Sequence, residues 1–128
     1  MVQEDKELLL KDLCARLPYK CYAQIPDEYG GHISAIESID IDGVVKDFEG
    51  ALTEIENIKP YLFPLSSMTE EEWEDYQKIR MIDWIHGDIN GAFITAGLIV
   101  DWLNAHHFDF RCLIEKSLAL DATNLNIY

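Results

Sequence analysis

Apolar and polar side chains follow two different periods along this chain, and the period changes at Pro18. In the preceding segment, KELLLKDLCARLP, leucines recur at the spacing of one helix face and the proline ends the run. Between Tyr19 and Phe63, short β-prone segments are separated by Pro, Gly and Asp, which are the residues that form turns. The pattern predicts a short N-terminal helix followed by an antiparallel β-meander.

The second half of the chain predicts two more helices. In MTEEEWEDYQKI, Thr69 and Glu72 stand in the register of a capping box, while Met68 and Trp73 stand in that of a hydrophobic staple. Apolar residues at helical spacing predict a final helix from about Leu98 to His107. The predicted helix start at Thr69 is the most specific local signal in the chain.

Between these two helices, Asn90 and Gly91 form a turn dipeptide with β-branched residues nearby, which favours a hairpin. We find neither an internal repeat nor a low-complexity linker, so residues 1–128 are interpreted as a single domain. The predicted fold is α+β, with a short N-terminal helix, an antiparallel β-meander or hairpins, and two further helices packed on the sheet.

The segment SIDIDGVVKDFE is similar in spacing to a calcium-binding EF-hand loop. However, Ser38 stands where the first ligand should be an aspartate, and Lys46 occupies a position that usually serves a ligand or its water. A hairpin that turns at Asp42 and Gly43 explains the same residues with fewer exceptions. We therefore predict a turn here and no calcium binding.

The charge balance narrows the class of partner. With 24 acidic and 10 basic side chains, the formal net charge is −14, which opposes binding to nucleic acid or to an anionic membrane. The first residues lack the pattern of a secretory signal, and the longest apolar run, GAFITAGLIV, is too short to span a bilayer. We expect a cytoplasmic protein whose partner is a protein with a basic surface.

Cys14, Cys21 and Cys112 form an odd set in a chain with no predicted signal. We expect them to be free, buried thiols in a reducing compartment. The chain has neither a C-x-x-C pair nor a Cys/His quartet at zinc spacing, so we expect no metal and no cofactor.

Acidic side chains are spread through the predicted meander. Because alternate residues of a strand point to the same side of a sheet, we expect several of them to share one solvent-exposed face. That face is the candidate binding surface. Its residues are Asp40, Asp42, Asp47, Glu49, Glu54 and Glu56.

The segment DWLNAHHFDFR is the alternative site, for a small hydrolase or a nucleotide-binding protein. Its candidate residues are His106, His107, Asp109 and Arg111. Neighbouring helical residues point about 100° apart, so the two histidines cannot both bind one metal unless the helix ends between them. Since the chain also lacks a nucleophile elbow and a Gly-rich phosphate loop, we expect a protein that is not an enzyme.

Four segments, LLLKDLCARLPY, IKPYLFPLSSMTEEE, DWLNAHHFDFR and LIEKSLALDATNLNIY, resemble the recurring blocks of a family of small proteins. That family comes from gut Bacteroidales bacteria, their prophages and their phages, and no activity, cofactor or catalytic residue is known for it. In the region that corresponds to residues 101–128, the family more often carries tyrosine at the position of Phe110 and glycine at those of Cys112 and Ser117. The replacements in this chain imply that Cys112 and Ser117 do not need a left-handed backbone.

The resemblance implies a phage or prophage setting, and the acidic net charge indicates a partner with a basic surface. We expect an accessory protein that binds another protein stoichiometrically, with a host nuclease or another defence factor as the inhibited partner. An acidic surface could then compete with nucleic acid for a basic groove.

Overall fold

The computed structural model describes residues 1–82 and 89–128, and these form three α-helices and a mixed sheet of seven strands. The predicted α+β class is confirmed. Of the helices in these ranges, none is both long enough and apolar enough to cross a bilayer. The helices are α1 (Gln3–Arg16), α2 (Glu70–Arg80) and α3 (Ile89–Ala105). The strands are β1 (Tyr22–Ile25), β2 (His32–Ile39), β3 (Val44–Asp47), β4 (Leu52–Glu54), β5 (Lys59–Pro64), β6 (Phe108–Asp109) and β7 (Leu120–Asp121).

The sheet combines a meander with a crossover. Strands β1 to β4 are consecutive antiparallel neighbours, as the sequence predicts. Strand β5 lies on the other side of β1 and runs antiparallel to it, so the meander ends at β4. Strands β6 and β7 pair with β5 in parallel, and with two residues each they are too short to show a period in the sequence.

The hydrophobic core joins α1 to the sheet. Leu9 and Leu13 of α1 are fully buried in one cluster with Ile25 of β1, Ile36 of β2 and Leu62 of β5. Burial of a leucine side chain contributes about 1.5 to 3 kcal/mol, so this helix is held mainly by its apolar face.

The hairpin predicted in place of a calcium loop is confirmed. β2 and β3 pair antiparallel across a turn in which Gly43 has a φ of 81°, a value that glycine adopts without steric cost. One carboxylate oxygen of Asp40 accepts the N–H groups of Asp42 and Val44, each at 2.9 Å. The side chain of Asp40 therefore closes the turn.

The predicted start of α2 is also confirmed. The hydroxyl of Thr69 accepts the N–H of Glu72 at 3.2 Å, and the Glu72 carboxylate accepts the N–H of Thr69 at 3.0 Å. Further along α2, the ring of Tyr76 lies 6.1 Å from that of Trp102. The helix thus packs against α3.

The hairpin predicted at Asn90 and Gly91 is wrong, because both residues belong to α3. The rest of that predicted turn, Gly87 and Asp88, lies outside the described residues. The β-branched residues after the predicted turn, Ile94 and Thr95, lie in this helix, in which Gly91 and Thr95, one turn apart, are buried. Tertiary packing of that side outweighs the local strand preference, which spans only about 1 kcal/mol.

The final helix is longer at its start than predicted. It already includes Ile89, well before Leu98, and it ends at Ala105. His107 has a φ of 63°, a left-handed conformation that terminates a helix.

The expectation that Cys112 and Ser117 avoid a left-handed backbone is wrong. Their φ values are 60° and 61°. The loop that contains them is held by Asp109, whose carboxylate accepts the N–H of Leu113 at 3.0 Å, and by the burial of Leu113 and Leu118. These contacts offset a backbone cost of about 1 to 2 kcal/mol at each of the two positions.

Candidate functional site

The six acidic residues of the predicted binding face are spread over both ends of β3 and the turn after β4. Asp40 and Asp42 lie in the turn before β3, and Glu54 pairs with Val44 at that same end. Asp47 and Glu49 lie at the opposite end of β3. Glu56 follows β4 in a short 3-10 turn.

Asp47 is also not available to a partner as a surface charge. Its side chain is only 1% exposed. One of its oxygens accepts the N–H groups of Glu49 at 3.0 Å and of Ala51 at 2.9 Å, which closes the turn between β3 and β4. Strand alternation puts Asp47 on the inner side of β3 with the buried Val45, whereas Lys46 between them is exposed.

The two histidines of the alternative site have separate surroundings. His106 makes a hydrogen bond through Nδ1 with the carbonyl of Trp102 at 2.9 Å, and its ring stacks on that of Trp102. The ring of His107 stacks on that of Tyr128, with the centroids 3.6 Å apart. Burial, reinforced by the nearby charge of Arg16, lowers the pKa of His107 to about 4.

Asp109 and Arg111 serve other contacts. The Asp109 carboxylate accepts the N–H groups of Leu113 and Ile114 at 3.0 and 2.9 Å. Arg111 donates to Asp12 at 2.7 Å. Of the four residues, only His107 lines the adjoining cavity of about 250 Å³, whose other lining residues are Tyr19, Lys20, Tyr22, Ile127 and Tyr128. The arrangement does not gather the four groups around one substrate.

A buried ion network lies beside this segment. Asp12 accepts hydrogen bonds from Arg16 Nε at 2.8 Å and Nη2 at 3.1 Å, in addition to the bond from Arg111. Both Asp12 and Arg16 are fully buried, and Arg16 also donates to the Phe108 carbonyl at 2.7 Å. The network ties α1 to β6, which is a structural role. The i,i+4 spacing of Asp12 and Arg16 was its only signal in the sequence.

The cysteines are free, as predicted. Only Cys21 is buried, so the expectation of buried thiols is wrong for Cys14 and Cys112, which are exposed. Burial raises the pKa of Cys21 to about 11, and its sulfur lies 3.8 Å from the hydroxyl oxygen of Tyr128. The Cys21 thiol is therefore protonated and unreactive near neutral pH.

The first three turns of α3 carry several exposed apolar side chains. This helix has no charged residue between Ile89 and Val100. Gly91 and Thr95 are buried on one side of it, whereas Ile89 and Phe93 are each 70% exposed. We define the α3 surface by its large exposed side chains, which are Ile89, Phe93, Ile94, Leu98 and Val100.

One group of side chains has the chemistry of metal ligands. Within the described ranges, His32, Asp47 and Glu49 place one donor atom each within 4.8 Å of one another. The Nδ1 atom of His32 also lies 2.8 Å from a carboxylate oxygen of Asp27, and that hydrogen bond raises the pKa of His32. His32 was missed because its sequence context, GGHIS, contains no second ligand at a recognised spacing.

No protein-family model matches this chain, and no curated protein or solved structure is significantly similar to it. The resemblance to the family from Bacteroidales and their phages therefore stays a prediction.

Proposed function

We propose that this chain is not an enzyme and acts by binding another protein stoichiometrically through the α3 surface. The proposal is supported by a contrast: the first three turns of α3 are apolar on all sides, but only one side is buried against the rest of the chain. A helix that is apolar all round is normally buried on all sides. Here the side that contains Gly91 and Thr95 is buried, while Ile89 and Phe93 face solvent. Exposed apolar patches of this kind mark interaction sites.

The surrounding charge indicates the chemistry of the partner. Exposed carboxylates of Glu70, Glu71, Glu74 and Asp75 lie on α2, and Asp101 follows the apolar run of α3. The chain carries no Lys or Arg from residue 81 to residue 110. A complementary partner has an apolar patch edged by Lys or Arg side chains. A second copy of the chain is disfavoured, because two molecules of net charge −14 repel each other.

The family resemblance supplies the proposed setting, in which a phage or prophage protein inhibits a host nuclease or another defence factor. Such enzymes carry basic grooves for nucleic acid, and a groove of that charge suits the acidic surroundings of the α3 surface. In this proposal the apolar contact provides most of the affinity. The exposed carboxylates accelerate association and select a basic partner.

The first test is the oligomeric state of the purified chain, measured by light scattering at micromolar concentrations and physiological salt. A monomer supports a different protein as the occupant of the α3 surface. A dimer that Phe93→Gln converts to a monomer would show instead that a second copy occupies it.

The second test is a reconstituted complex with a partner first identified by cross-linking in the host cell. Truncation of a central aromatic anchor typically costs about 2 kcal/mol or more, so Phe93→Gln should weaken binding by about 30-fold. Phe48→Gln is the matched control, because Phe48 is comparably exposed, at 62%, but lies in the turn after β3. Equal affinities of wild type and Phe93→Gln would rule out the α3 surface as the interface.

A further inference from the structure

His32 is surrounded by three carboxylates that come from two different segments of the chain. Asp27 lies in the turn between β1 and β2, Asp47 is the last residue of β3, and Glu49 lies in the turn between β3 and β4. The antiparallel pairing of β1 with β2 places His32 opposite Ile25, at the end of β1 that leads into the first turn. The sheet therefore brings His32 together with residues of a turn that is distant along the chain.

The two aspartates hold His32 in the same manner. The Oδ1 atom of Asp27 accepts the N–H groups of Tyr29 and Gly31 at 2.7 and 2.9 Å, which leaves Oδ2 to contact His32 Nδ1 at 2.8 Å. Asp47 likewise uses Oδ1 for its own turn, and its Oδ2 lies 3.6 Å from His32 Nε2. Each turn thus fixes one carboxylate oxygen that points at the imidazole.

Two polar atoms at the centre of this cluster lack hydrogen bonds. Asp47 Oδ2 is buried without a partner, and so is His32 Nε2. Glu49 Oε2 lies 3.1 Å from Nε2, but the contact does not have hydrogen-bond geometry. Burial of an unpaired carboxylate oxygen is unfavourable, so such a group is expected to have a partner in the working protein.

The spacing of the three atoms suits a metal ion. Ligand atoms about 2.0 to 2.2 Å from a tetrahedral zinc ion are about 3.3 to 3.6 Å apart. His32 Nε2 lies 3.6 Å from Asp47 Oδ2 and 3.1 Å from Glu49 Oε2. Glu49 is 67% exposed, so its side chain is free to move and bring its carboxylate to the ligand distance from Asp47 Oδ2.

The geometry points to a divalent transition-metal site formed by His32 Nε2, Asp47 Oδ2 and Glu49. Asp27 is a positioning residue, because its hydrogen bond to Nδ1 holds the neutral ring with Nε2 free to bind the ion. One imidazole and two carboxylates favour zinc over calcium, which takes six to eight oxygen ligands. The bound ion joins the start of β2 to the end of β3 and the turn that follows it. The sequence predicted no metal because no cysteines and histidines lie at the spacing of a known metal motif. The proposed site differs because its ligands are distant along the chain.

The test is calorimetric titration of the full metal-free chain with zinc chloride. Wild type should bind one zinc ion per chain, and calcium chloride should give no saturable signal. His32→Gln should abolish zinc binding, and Glu49→Gln should weaken it at least tenfold. Asp40→Asn is the matched control, because Asp40 closes its turn with the same pair of backbone bonds but is not among the three clustered ligands. That variant should bind zinc like wild type.

A second measurement tests the role of Asp27. Zinc should shift the ¹⁵N resonance of His32 Nε2 while Nδ1 stays protonated, and Asp27→Asn should reduce the affinity by about 10 to 100-fold. If His32→Gln does not fold, the affinity of Glu49→Gln for zinc becomes the deciding measurement. Glu49 is exposed, and its replacement leaves in place the hydrogen bonds between Asp47 and the backbone of its turn. Absence of zinc binding to wild type would overturn the site. Binding that is unchanged in Glu49→Gln would also overturn it and would place the ion elsewhere, for example on the exposed thiols of Cys14 or Cys112.

Discussion

Replacement of Asp12 by asparagine should destabilise the protein severely. Asp12 is fully buried and accepts three hydrogen bonds from two guanidinium groups, at 2.7 to 3.1 Å. The asparagine keeps the shape of the side chain but removes the negative charge, which leaves the buried cation of Arg16 uncompensated. Breaking a buried ion pair in this way costs about 3 to 5 kcal/mol, a large part of the roughly 5 to 15 kcal/mol that holds a typical domain.

The assay is equilibrium unfolding in urea, followed by circular dichroism. A loss of about 4 kcal/mol with a slope of about 2 kcal/mol per molar corresponds to a midpoint lowered by about 2 M. A double-mutant cycle then separates the ion pair from simple packing. Asp12→Leu combined with Arg16→Met removes the fully buried cation together with its partner, although Arg111, whose side chain is 16% exposed, still loses its bond to Asp12. The double variant should therefore be more stable than the sum of the single losses predicts.

The coupling expected from that cycle is about 1 to 3 kcal/mol, because the two side chains are in direct contact. Part of the loss will remain in the double variant, since the Phe108 carbonyl no longer receives the bond from Arg16. A loss below about 1 kcal/mol for Asp12→Asn, or single effects that add within about 0.5 kcal/mol, would refute the network as a determinant of stability.

Three smaller effects test other parts of the fold. Thr69→Ala should cost about 1 kcal/mol through loss of the cap of α2, and an unchanged urea midpoint would contradict the capping role. Ser117→Gly should stabilise the protein by about 0.5 to 1 kcal/mol in the same assay, because the backbone of Ser117 is left-handed. Ser38→Gly is the control and should destabilise the protein, because Ser38 lies in β2. A loss of stability in both variants would contradict backbone strain at Ser117. The pKa of His107 is lowered to about 4 in the folded protein, so the unfolded chain takes up a proton at higher pH than the folded chain does. The free energy of unfolding should therefore be highest above about pH 6.5. It should fall by at most about 1.4 kcal/mol per pH unit between about pH 6.5 and pH 4. His107→Asn should fall less over this range, and parallel pH profiles for the two proteins would contradict the burial of a neutral imidazole.

Contacts between residues near in sequence could be predicted for this protein. The capping box between Thr69 and Glu72 and the turn at Asp42 and Gly43 each depend on bonds that span only a few residues. The same holds for the apolar face of α1, where burial follows directly from the leucine spacing. For these elements the local chemistry has one good solution, and the rest of the fold is consistent with it.

Other features depend on which distant groups become neighbours. Asn90 and Gly91 have a strong preference for a turn, yet they lie in a helix because its packed side outweighs that preference. The left-handed backbone of Cys112 is likewise imposed by the bonds of Asp109 and by the burial of the surrounding loop.

The candidate site shows the same division. The acidic composition, on which our proposal of a basic partner rests, is visible in the sequence. The α3 surface is not, because its exposure depends on which side of α3 packs against the rest of the chain. Nothing in the sequence near His32 connects it to Asp47 and Glu49. Strand register and turn geometry bring their donor atoms together. A sequence pattern records the period of each element, whereas the contacts between elements depend on how the whole chain excludes water from its core.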